Sequence, residues 1–283
     1  MKKNIEQVKL LLEALPYIKK YKDQIFVIKY GGSAQINKEL QDKFAQDIIL
    51  LYMMGIKPVI VHGGGKKINE LLEKLEIKSK FVDGLRVTTP EIMEVVEMVL
   101  SGKINKEIIN LLNMHGAKAL GLTGKDGKFM TASAKSNGKY GLVGEIKYID
   151  NSVIHNLLEE KFIPVIAPIA SGNELGHPGF NINADLAASK IAESLNAKKI
   201  IFMTDTLGVL DNDKKLFETL KKKKIKKLKK NGTIAGGMIP KVDACLEAVN
   251  GGVNKAHIID GRVEHALLLE IFTSNGVGTV IKK

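Results

Sequence analysis

Three glycine clusters constrain the fold of this chain more strongly than any other feature. They are Lys29-Tyr30-Gly31-Gly32-Ser33, His62-Gly63-Gly64-Gly65 and Gly236-Gly237-Met238-Ile239-Pro240-Lys241. Each predicts backbone N–H groups beside the start of a helix, and the first and last clusters add a lysine. Glycine lets a backbone approach a ligand closely, and a helix N-terminus favours negative charge. Together the clusters predict a protein that handles a polyphosphate and a second anion, as a small-molecule kinase does.

Short β-rich apolar runs alternate with helical patterns along most of the chain. Runs at residues 25–28 and 59–61 end in glycine clusters, and a helix is predicted from residue 38 to about 54. Further strands are predicted at residues 117–122, 162–167, 200–204 and 256–259. This alternation predicts an α/β fold, a three-layer α/β/α sandwich with a mostly parallel sheet, whose ligands lie at the carboxyl ends of the strands.

Two segments depart from this alternation. Residues 124–149 predict β-hairpins added at the edge of the sheet. Ahead of the first strand, residues 4–18 predict an extra amphipathic helix, kinked at Pro16. Its apolar stripe consists of Ile5, Val8, Leu11, Leu12, Leu15 and Ile18. This helix can pack on its own subunit or pair with another one, and the sequence leaves both possibilities open.

A net charge of +12 raises the hypothesis of nucleic-acid binding. Residues 221–230 contain eight lysines, so the rest of the chain carries only +4. The apolar residues Leu216, Leu220, Ile225 and Leu228 follow a helical spacing through this segment, which favours a solvated helix surface. Aromatic residues make up 5% of the chain and do not alternate with these lysines, so no nucleic-acid partner is predicted.

Cysteine content and hydropathy indicate the compartment. The single cysteine, Cys245, excludes an internal disulfide, fits a reducing cytosol and is predicted to pack in the core. No apolar run approaches the ~20 residues that a membrane helix needs. Polar residues such as Glu6 and Lys9 interrupt any apolar signal-peptide segment. We therefore expect a cytoplasmic protein with no membrane partner.

Lys29 and Lys241 are the candidate catalytic cations. Phosphoryl transfer depends on alignment of donor and acceptor and on positive charge around the transferred group. Neither glycine cluster matches the P-loop pattern, and residues 62–65 lack the dinucleotide-binding spacing. Near a predicted helix start, Asn183 could simply cap the helix, whereas Asp185 could hold two lysines in register. No residue set predicts a protein-held metal.

Two loops supply further candidates. Arg86 lies in a loop before Pro90, and the planar fork of arginine suits a carboxylate, although Arg86 could also be an ordinary surface residue. Residues 204–210 follow a predicted strand and indicate a nucleotide-contacting loop. Asp205 could equally be an ordinary turn residue.

Taken together, these motifs resemble the acetylglutamate kinases of the amino acid kinase family. The matching segments are residues 28–34, 59–65, 83–88, 180–185, 204–210 and 236–241, in the family's order. Kinases of the same fold that act on aspartate, glutamate, carbamate or UMP are less similar around Arg86 and Asn181. The resemblance implies transfer of the γ-phosphoryl group of ATP, with Mg²⁺, to the side-chain carboxylate of N-acetyl-L-glutamate, a step of arginine biosynthesis.

The resemblance also implies domains and residue roles. It implies an oligomerisation helix at residues 1–22, an N-acetylglutamate-binding lobe at 23–195 and an ATP-binding lobe at 196–283. Lys29 and Lys241 would stabilise the transition state and Asp185 would organise them. The implied substrate-binding residues are Gly63 and Gly64 through their N–H groups, Arg86 through the α-carboxylate, and Asn181. The implied nucleotide-binding residues are Gly31, Gly32, Thr204, Asp205, Gly208, Gly236 and Gly237.

Two features resemble the arginine-inhibited, hexameric branch of these kinases. In that branch an N-terminal helix interlaces dimers into a ring, which implies a homohexamer built as a trimer of dimers. His257, Glu270 and Gly276 match positions that contact the effector, which implies inhibition by L-arginine. A simpler interpretation of Glu270 is an exposed helical acid. A PII signal protein is a candidate partner, and the lysines at 221–230 depart from the usual family surface.

Three alternatives follow from the same sequence. The nearest is another kinase of this fold, with glutamate or aspartate as the acceptor. A second is a weakly catalytic arginine sensor or regulatory scaffold, and the presence of Lys29, Asp185 and Lys241 argues against it. The third is a nucleic-acid binder, which rests on residues 221–230 alone.

Overall fold

A computed structural model describes residues 2–283, without the side chains of residues 2–7 and 9–11. The strands are β1 (Ile25–Tyr30), β2 (Lys57–His62), β3 (Phe81–Val82), β4 (Leu85–Arg86), β5 (Ala119–Thr123), β6 (Met130–Ala134), β7 (Gly144–Ile149), β8 (Ile163–Ala167), β9 (Ile169–Ala170), β10 (Phe180–Asn181), β11 (Lys199–Thr204), β12 (Thr219–Lys221), β13 (Lys255–Asp260) and β14 (Thr279–Lys282).

The α-helices alternate with these strands. They are α1 (Lys2–Tyr21), α2 (Lys38–Met53), α3 (Gly65–Lys74), α4 (Pro90–Glu97), α5 (Asn105–Met114), α6 (Ser152–Glu159), α7 (Ala184–Ser194), α8 (Lys222–Lys230), α9 (Met238–Asn250) and α10 (Ala266–Phe272). A wide π-helical turn, Met98–Ile104, joins α4 to α5, and short 3₁₀ turns occupy Gly32–Gln35, Asp126–Lys128 and Lys135–Gly138.

Eight strands form the main sheet in the order β12-β14-β13-β11-β1-β2-β8-β5. Its neighbours pair in parallel except for β13 and β14, which pair antiparallel. Because β1, β2 and β11 are parallel, their carboxyl ends lie at one edge of the sheet, and the first two glycine clusters begin there. The prediction of an α/β fold with a mostly parallel sheet is confirmed.

The two faces of the sheet carry separate hydrophobic cores. Along β1 the side chains alternate, so Val27 enters one core whereas Phe26 and Ile28 enter the other. Helices α7 and α9 cover the first face, and α2, α4 and α5 cover the second. This is the predicted three-layer arrangement. Cys245 of α9 is fully buried in the first core, as predicted.

The predicted boundary near residue 195 falls between α7 and β11. Strands from residues 23–195 form one half of the main sheet, and strands from 196–283 form the other. The two halves meet where β1 pairs with β11, so the sheet is continuous across the boundary. The assignment of a different ligand to each half stays a prediction.

Residues 124–149 lie elsewhere than predicted. Strands β6 and β7 pair with each other in a separate two-stranded sheet, and β5 forms the edge of the main sheet. The other side of β6 is occupied by Ser171, whose backbone hydrogen-bonds with Met130 and Ala132. Val143 and Gly141, ahead of β7, bridge to Asn181 and Thr88. The prediction of a sheet-edge position is therefore wrong, and this hairpin instead reaches the predicted substrate-binding residue Asn181.

Helix α1 continues through Pro16 as far as Tyr21. Its last turns contact α10, where the rings of Tyr17 and Phe272 pack edge to face with centroids 6.2 Å apart. Val8, Leu12 and Leu15 of the predicted stripe are exposed. Ile5 and Leu11 lie outside the described side chains. The described part of the stripe thus leaves apolar surface open to solvent.

Helix α8 contains most of the lysine-rich segment. Ile225 and Leu228 face the core, and most of the lysines are exposed, as expected for a solvated helix. A cavity of about 770 Å³ lies beside this helix and contains none of the predicted site residues. Within residues 2–283, no helix combines the length and apolar character needed to span a bilayer.

Candidate active site

Lys29, Asp185 and Lys241 form a compact charge cluster at the carboxyl edge of the main sheet. Lys29 Nζ lies 3.1 Å from Asp185 Oδ1, and Lys241 Nζ lies 3.3 Å from Asp185 Oδ2. Lys29 and Asp185 are each 8% exposed, and the Lys241 side chain is 25% exposed. Residues separated by 212 positions in the sequence thus converge around one carboxylate.

Three different elements place these side chains. Lys29 is the penultimate residue of β1, and Asp185 lies in the first turn of α7. The side chain of Asn183 caps α7 by accepting hydrogen bonds from the N–H groups of Asp185 and Leu186. Lys241 lies in the first turn of α9, where helix α9 packs against α7. The capping role predicted for Asn183 is confirmed.

Asp185 is an ionised carboxylate in this setting. Burial opposes ionisation, but the charges of Lys29 and Lys241 outweigh it and hold the pKa of Asp185 below its ordinary value. The cluster therefore carries two positive charges and one negative charge. The surplus positive charge suits an anionic ligand.

Two adjoining cavities share the turn at residues 63–65, here called the central glycine turn. One cavity, of about 270 Å³, is lined by Lys29, Gly31, Gly32 and the central glycine turn, together with other residues. The other, of about 210 Å³, is lined by Arg86, Asn181 and the same turn, among others. One turn therefore separates a lysine-bearing cavity from an arginine-bearing one.

At two glycines beside these cavities, an added Cβ would crowd a neighbouring side chain. A Cβ at Gly31 would lie 2.8 Å from Lys29 Nζ, so glycine leaves room for the ammonium group. A Cβ at Gly64 would lie 2.4 Å from Ile104 Cδ1 and 2.6 Å from Leu100 Cδ2. The turn therefore packs tightly on one side against the π-helical segment and keeps its backbone exposed to the cavities.

The N–H groups of Gly63 and Gly64 differ. The Gly63 N–H donates to the carbonyl of Tyr30 at 3.0 Å, which extends the pairing of β1 and β2. The Gly63 N–H is therefore already occupied in this structure, and its donation to a substrate stays a prediction. Among the described residues, no acceptor takes the Gly64 N–H. Gly64 is the member of the pair that can bind an anion.

Arg86 is buried without an acidic partner in the described part of the chain. Its guanidinium donates to Ser79 Oγ at 2.8 Å and to Asn69 Oδ1 at 2.6 Å. The Arg86 guanidinium carbon lies 4.7 Å from the centroid of the Phe81 ring. Burial lowers the pKa of Arg86 below its ordinary value without neutralising the group. The neutral neighbours fix the guanidinium and leave its charge available to a carboxylate ligand.

Asn181 lines the same cavity as Arg86 and the central glycine turn. Its side-chain amide donates to Thr88 Oγ1 at 3.2 Å, and its N–H donates to the carbonyl of Leu142 at 2.9 Å. Thr88 Oγ1 in turn donates to the carbonyl of Arg86 at 3.0 Å. Arg86 and Asn181, predicted from separate motifs, are thus connected through Thr88.

The predicted nucleotide-binding residues fall into two groups. Gly31 and Gly32 line the cavity beside Lys29, whereas Thr204, Asp205, Gly208, Gly236 and Gly237 do not. Asp205 Oδ1 accepts the Ser33 N–H at 2.6 Å, so the 204–210 loop contacts the first glycine cluster.

Gly208 and Gly236 are glycines for different structural reasons. Gly208 has φ +146°, and a Cβ there would lie 2.5 Å from Thr279 Oγ1, which explains the glycine by packing. Gly236 has φ +52° with open space around it, and Gly237 caps α9. An open, glycine-lined helix start beside Lys241 fits the predicted phosphate contact.

The three predicted effector residues come together near α1. His257 Nδ1 and Glu270 Oε1 are 2.5 Å apart, and Glu270 Oε2 accepts the N–H of Val277 at 2.7 Å. A Cβ at Gly276 would lie 2.6 Å from Glu270 Oε2. Glu270 is 5% exposed, so its interpretation as an exposed helical acid is wrong.

Lys199 belongs to this region and was not predicted. It is buried, and burial lowers the pKa of its ammonium to about 8. Its Nζ lies 5.0 Å from the centroid of the Tyr21 ring at the end of α1. A buried lysine in the middle of the chain leaves no trace in sequence periodicity, because lysine is expected at surfaces.

Sequence reasoning also missed three residues that contact the site residues, namely Asn69, Gln35 and Asn105; of these, Gln35 also lines the lysine-bearing cavity. Asn69 accepts a hydrogen bond from Arg86. The only sequence feature that could have indicated this role is the position of Asn69 on the helix that follows the central glycine turn. Gln35 and Asn105 contact the central glycine turn and its neighbour His62. Among the side chains that the structure describes, no group of three or more His, Cys, Asp or Glu residues is arranged to hold a metal ion.

Comparison with known proteins agrees with this geometry. Residues 24–260 match the model of the amino acid kinase family. An acetylglutamate kinase of a Nitratiruptor species is 68% identical over 281 residues, covering 99% of both chains. An acetylglutamate kinase of Sulfurimonas denitrificans is 63% identical, again covering 99% of both.

A solved structure shows the same fold in a larger protein. N-acetylglutamate synthase from Neisseria gonorrhoeae, complexed with coenzyme A and N-acetyl-glutamate, superposes with a TM-score of 0.87 at 26% identity. The match covers 98% of this chain but 63% of that protein, so the chain spans less than two thirds of it. From the full-length relatives and the family match, the chain belongs to the amino acid kinase family and groups there with the acetylglutamate kinases.

Proposed function

We propose that this protein transfers the γ-phosphoryl group of ATP to the side-chain carboxylate of N-acetyl-L-glutamate, forming N-acetyl-L-glutamyl 5-phosphate. The observation that carries the proposal is the Lys29–Asp185–Lys241 charge cluster, set beside a glycine turn whose other side faces Arg86. The full-length relatives named acetylglutamate kinase support this choice of substrate.

The reaction needs little from the protein beyond charge and alignment. A carboxylate oxygen of the acceptor attacks the γ-phosphorus, the bond to the β,γ-bridging oxygen breaks, and ADP departs. The acceptor is already ionised at neutral pH, so no general base is required. Lys29 and Lys241 offset the negative charge on the transferring group, and the Gly64 N–H adds a hydrogen bond.

Asp185 acts in this mechanism by holding the two lysines. Its lowered pKa keeps it ionised at neutral pH, so it neither donates nor accepts a proton during the transfer. Its two oxygens contact different lysines, which sets the separation of the two cations. We therefore assign Asp185 to organisation of the charge cluster.

The proposal includes Mg²⁺ bound together with ATP. Asp185 contacts two lysines and Asp205 accepts the Ser33 N–H, so the donor set suits an ion held mainly by phosphate oxygens and water. When bound, the ion supplies further neutralisation of the phosphate charge.

The arginine-bearing cavity is the proposed acetylglutamate site. Arg86 pairs with the α-carboxylate, because it is buried, charged and free of acidic partners among the side chains that the structure describes. Asn181 is the second proposed contact, and its link to Arg86 through Thr88 keeps the two in a fixed relation. The nucleotide contacts proposed for residues 204–208, 236 and 237 complete the site on the other side of the charge cluster.

We also propose inhibition by L-arginine and assembly into a hexamer. Inhibition by L-arginine is supported by one cluster that contains His257, Glu270 and Gly276. In this cluster His257 Nε2 has no hydrogen-bond partner among the described residues. Supporting the second, Val8, Leu12 and Leu15 of α1 expose an apolar stripe. A cytoplasmic location and a PII partner belong to the same proposal.

The test is ADP release with ATP, magnesium and N-acetyl-L-glutamate, with glutamate, aspartate and UMP as parallel acceptors. We expect turnover with acetylglutamate alone and suppression by L-arginine. Turnover without suppression would remove the effector role of Glu270 while keeping the kinase. Turnover with another acceptor would overturn the roles of Arg86 and Asn181. No turnover with any acceptor would favour a sensor or scaffold.

A further inference from the structure

The imidazole of His62 lies directly behind the central glycine turn. His62 is the last residue of β2 and is fully buried. Its Nδ1 lies 3.1 Å from the carbonyl oxygen of Gly63, and its Nε2 lies 3.2 Å from Nδ2 of Asn105. The ring therefore connects the glycine turn to the first residue of α5.

The partners of Asn105 determine which His62 nitrogen carries the proton. Asn105 Nδ2 also lies 2.9 Å from the carbonyl oxygen of Val165, which can only accept, so this end of the amide is the NH₂ group. His62 Nε2 must then accept from Asn105, which leaves Nδ1 protonated to donate to the Gly63 carbonyl. Burial lowers the pKa of His62 to about 4, so this neutral form persists at neutral pH.

A second side chain donates to the same carbonyl. Gln35 Nε2 lies 2.9 Å from the Gly63 oxygen, and the backbone carbonyl of Gln35 accepts from Gln41 at 2.7 Å. Gln35 ends the 3₁₀ turn that follows Gly31, so it joins the first glycine cluster to the central one. The Gly63 oxygen thus accepts two side-chain hydrogen bonds, one from the adjacent His62 and one from Gln35, 28 positions away.

Fixing the Gly63 carbonyl also fixes the Gly64 N–H. In a trans peptide the C=O of one residue and the N–H of the next point in opposite directions within one plane. With the carbonyl held by His62 and Gln35, the plane cannot rotate without breaking both bonds. Gly64 lines both cavities, so the orientation of its N–H matters at the point where donor and acceptor meet.

The surrounding sequence makes room for this support. A Cβ at Gly121 of β5 would lie 1.8 Å from Asn105 Oδ1, so glycine there admits the Asn105 side chain. Asn105 directly follows the π-helical turn whose Leu100 and Ile104 pack against Gly64. The same segment therefore contacts the central glycine turn through apolar packing and through the Asn105–His62 bond.

We propose that Gln35, and Asn105 acting through His62, are positioning residues that hold the Gly63–Gly64 peptide plane with the Gly64 N–H directed at the anionic oxygens of the reaction. This inference rests on the proposed phosphoryl transfer. The proposed action of these side chains is on the orientation of one backbone N–H group, and Gln35 also lines the lysine-bearing cavity.

The first test concerns His62 and needs no activity. Nitrogen-15 NMR of the intact wild-type protein at neutral pH should show that His62 is protonated at Nδ1 and unprotonated at Nε2. In Asn105→Asp a carboxylate replaces the donor, so Nε2 should become protonated. A wild-type His62 protonated at Nε2 would overturn the role of Asn105.

The second test uses kinetics of Gln35 variants, with Gln46→Met of α2 as the matched control. Gln35→Met removes the donor and should lower kcat roughly 10-fold to 100-fold, as loss of a supporting hydrogen bond does elsewhere, with little change in either KM. Gln35→Glu should be impaired at neutral pH and recover towards wild type at acidic pH, where a protonated carboxyl again donates to Gly63. Gln46→Met, whose amide bonds Asp42 on the surface of α2, should match wild type.

The outcomes separate this inference from the proposed function. If wild type turns over acetylglutamate and Gln35→Met does so at the same kcat, the positioning role is refuted. If Gln35→Glu shows no recovery at acidic pH, the hydrogen bond to Gly63 is not the cause of its impairment and the inference fails. If wild type turns over no acceptor, the proposed function fails, and the NMR experiment still tests whether Asn105 sets the His62 tautomer that donates to the Gly63 carbonyl.

Discussion

Two lysine-bearing regions of this protein differ in what surrounds their charge. In the charge cluster, Lys29 and Lys241 both contact Asp185, which is 8% exposed. In α8, six of the nine residues are exposed lysines, and Lys229 forms an ion pair with Asp243 at 2.7 Å. The region with fewer lysines is the better candidate for chemistry, because its charges are fixed by burial and by a shared partner.

The difference follows from the elements that carry the lysines. Lys29 and Lys241 lie at the carboxyl end of a parallel strand and in the first turn of a helix, where an α/β fold collects its ligands. The lysines of α8 lie on the solvent side of a helix held by Ile225 and Leu228. Exposed charges of that kind are screened by water and salt and contribute little to stability.

The largest effect should follow from removing a lysine of the charge cluster. Lys29→Ala and Lys241→Ala should each lower kcat by about 10²-fold to 10³-fold and change KM less, because their charge matters most in the transition state. Steady-state kinetics with acetylglutamate and ATP would measure this. Lys227→Ala, on the exposed side of α8, is the matched control. Unchanged kcat in both cluster variants would contradict their assignment.

A second prediction contrasts a buried titratable group with the exposed ones. The buried His62 resists protonation, with its pKa lowered to about 4 from an ordinary 6.5. The unfolded chain therefore binds a proton first, and the protein should lose roughly 3 kcal/mol of stability as the pH falls from 6.5 to 4. Urea unfolding should show that, as the pH falls, the free energy of unfolding decreases less for His62→Gln than for wild type. The control His155→Gln should show the same decrease in the free energy of unfolding as wild type. The same decrease in His62→Gln would be evidence against this prediction.

The third prediction concerns the arginine-bearing cavity. Arg86→Ala should raise KM for acetylglutamate by about 10-fold to 100-fold, the effect of removing a charged hydrogen-bonding partner, and leave ATP binding near normal. Kinetics with each substrate varied in turn would separate the two. An equal loss of affinity for both substrates would indicate misfolding and remove the support for an α-carboxylate contact.

The smallest effect should come from the lysine-rich helix. Lys223→Ala and Lys226→Ala should leave kcat within about twofold of wild type and change the free energy of unfolding by less than about 0.5 kcal/mol. Retention on DNA or RNA at low salt, lost in these variants and at high salt, would instead reveal a nucleic-acid surface. That result would give α8 a function that its exposure alone does not suggest.

The sequence predicted the parts of the fold that depend on local pattern. Alternation of apolar runs and helical segments predicted the parallel sheet, and Asn183 was predicted as a helix cap because capping involves neighbours in the sequence. Cys245 was predicted to be buried from the apolar face on which it lies. These features depend on residues within a few positions of one another.

Contacts between residues that are far apart in the sequence could not be predicted from local sequence patterns. The Gly63 N–H is taken by Tyr30 because β1 and β2 pair in one particular register. Strands β6 and β7 lie off the main sheet, and the backbone of β6 pairs with Ser171, some 40 positions away in the sequence. Gln35 contacts Gly63 across 28 positions of the sequence, and Asn105 contacts His62 across 43.

The most direct test of the charge cluster is to trap its product. An acyl phosphate reacts with hydroxylamine to give a hydroxamate, so ATP, magnesium, N-acetyl-L-glutamate and hydroxylamine can be combined with wild type, Lys241→Ala and Lys227→Ala. We expect ATP-dependent hydroxamate from wild type and Lys227→Ala, and about 10²-fold less from Lys241→Ala. ADP release without hydroxamate, or equal yields from the two variants, would contradict phosphoryl transfer to a carboxylate by this cluster.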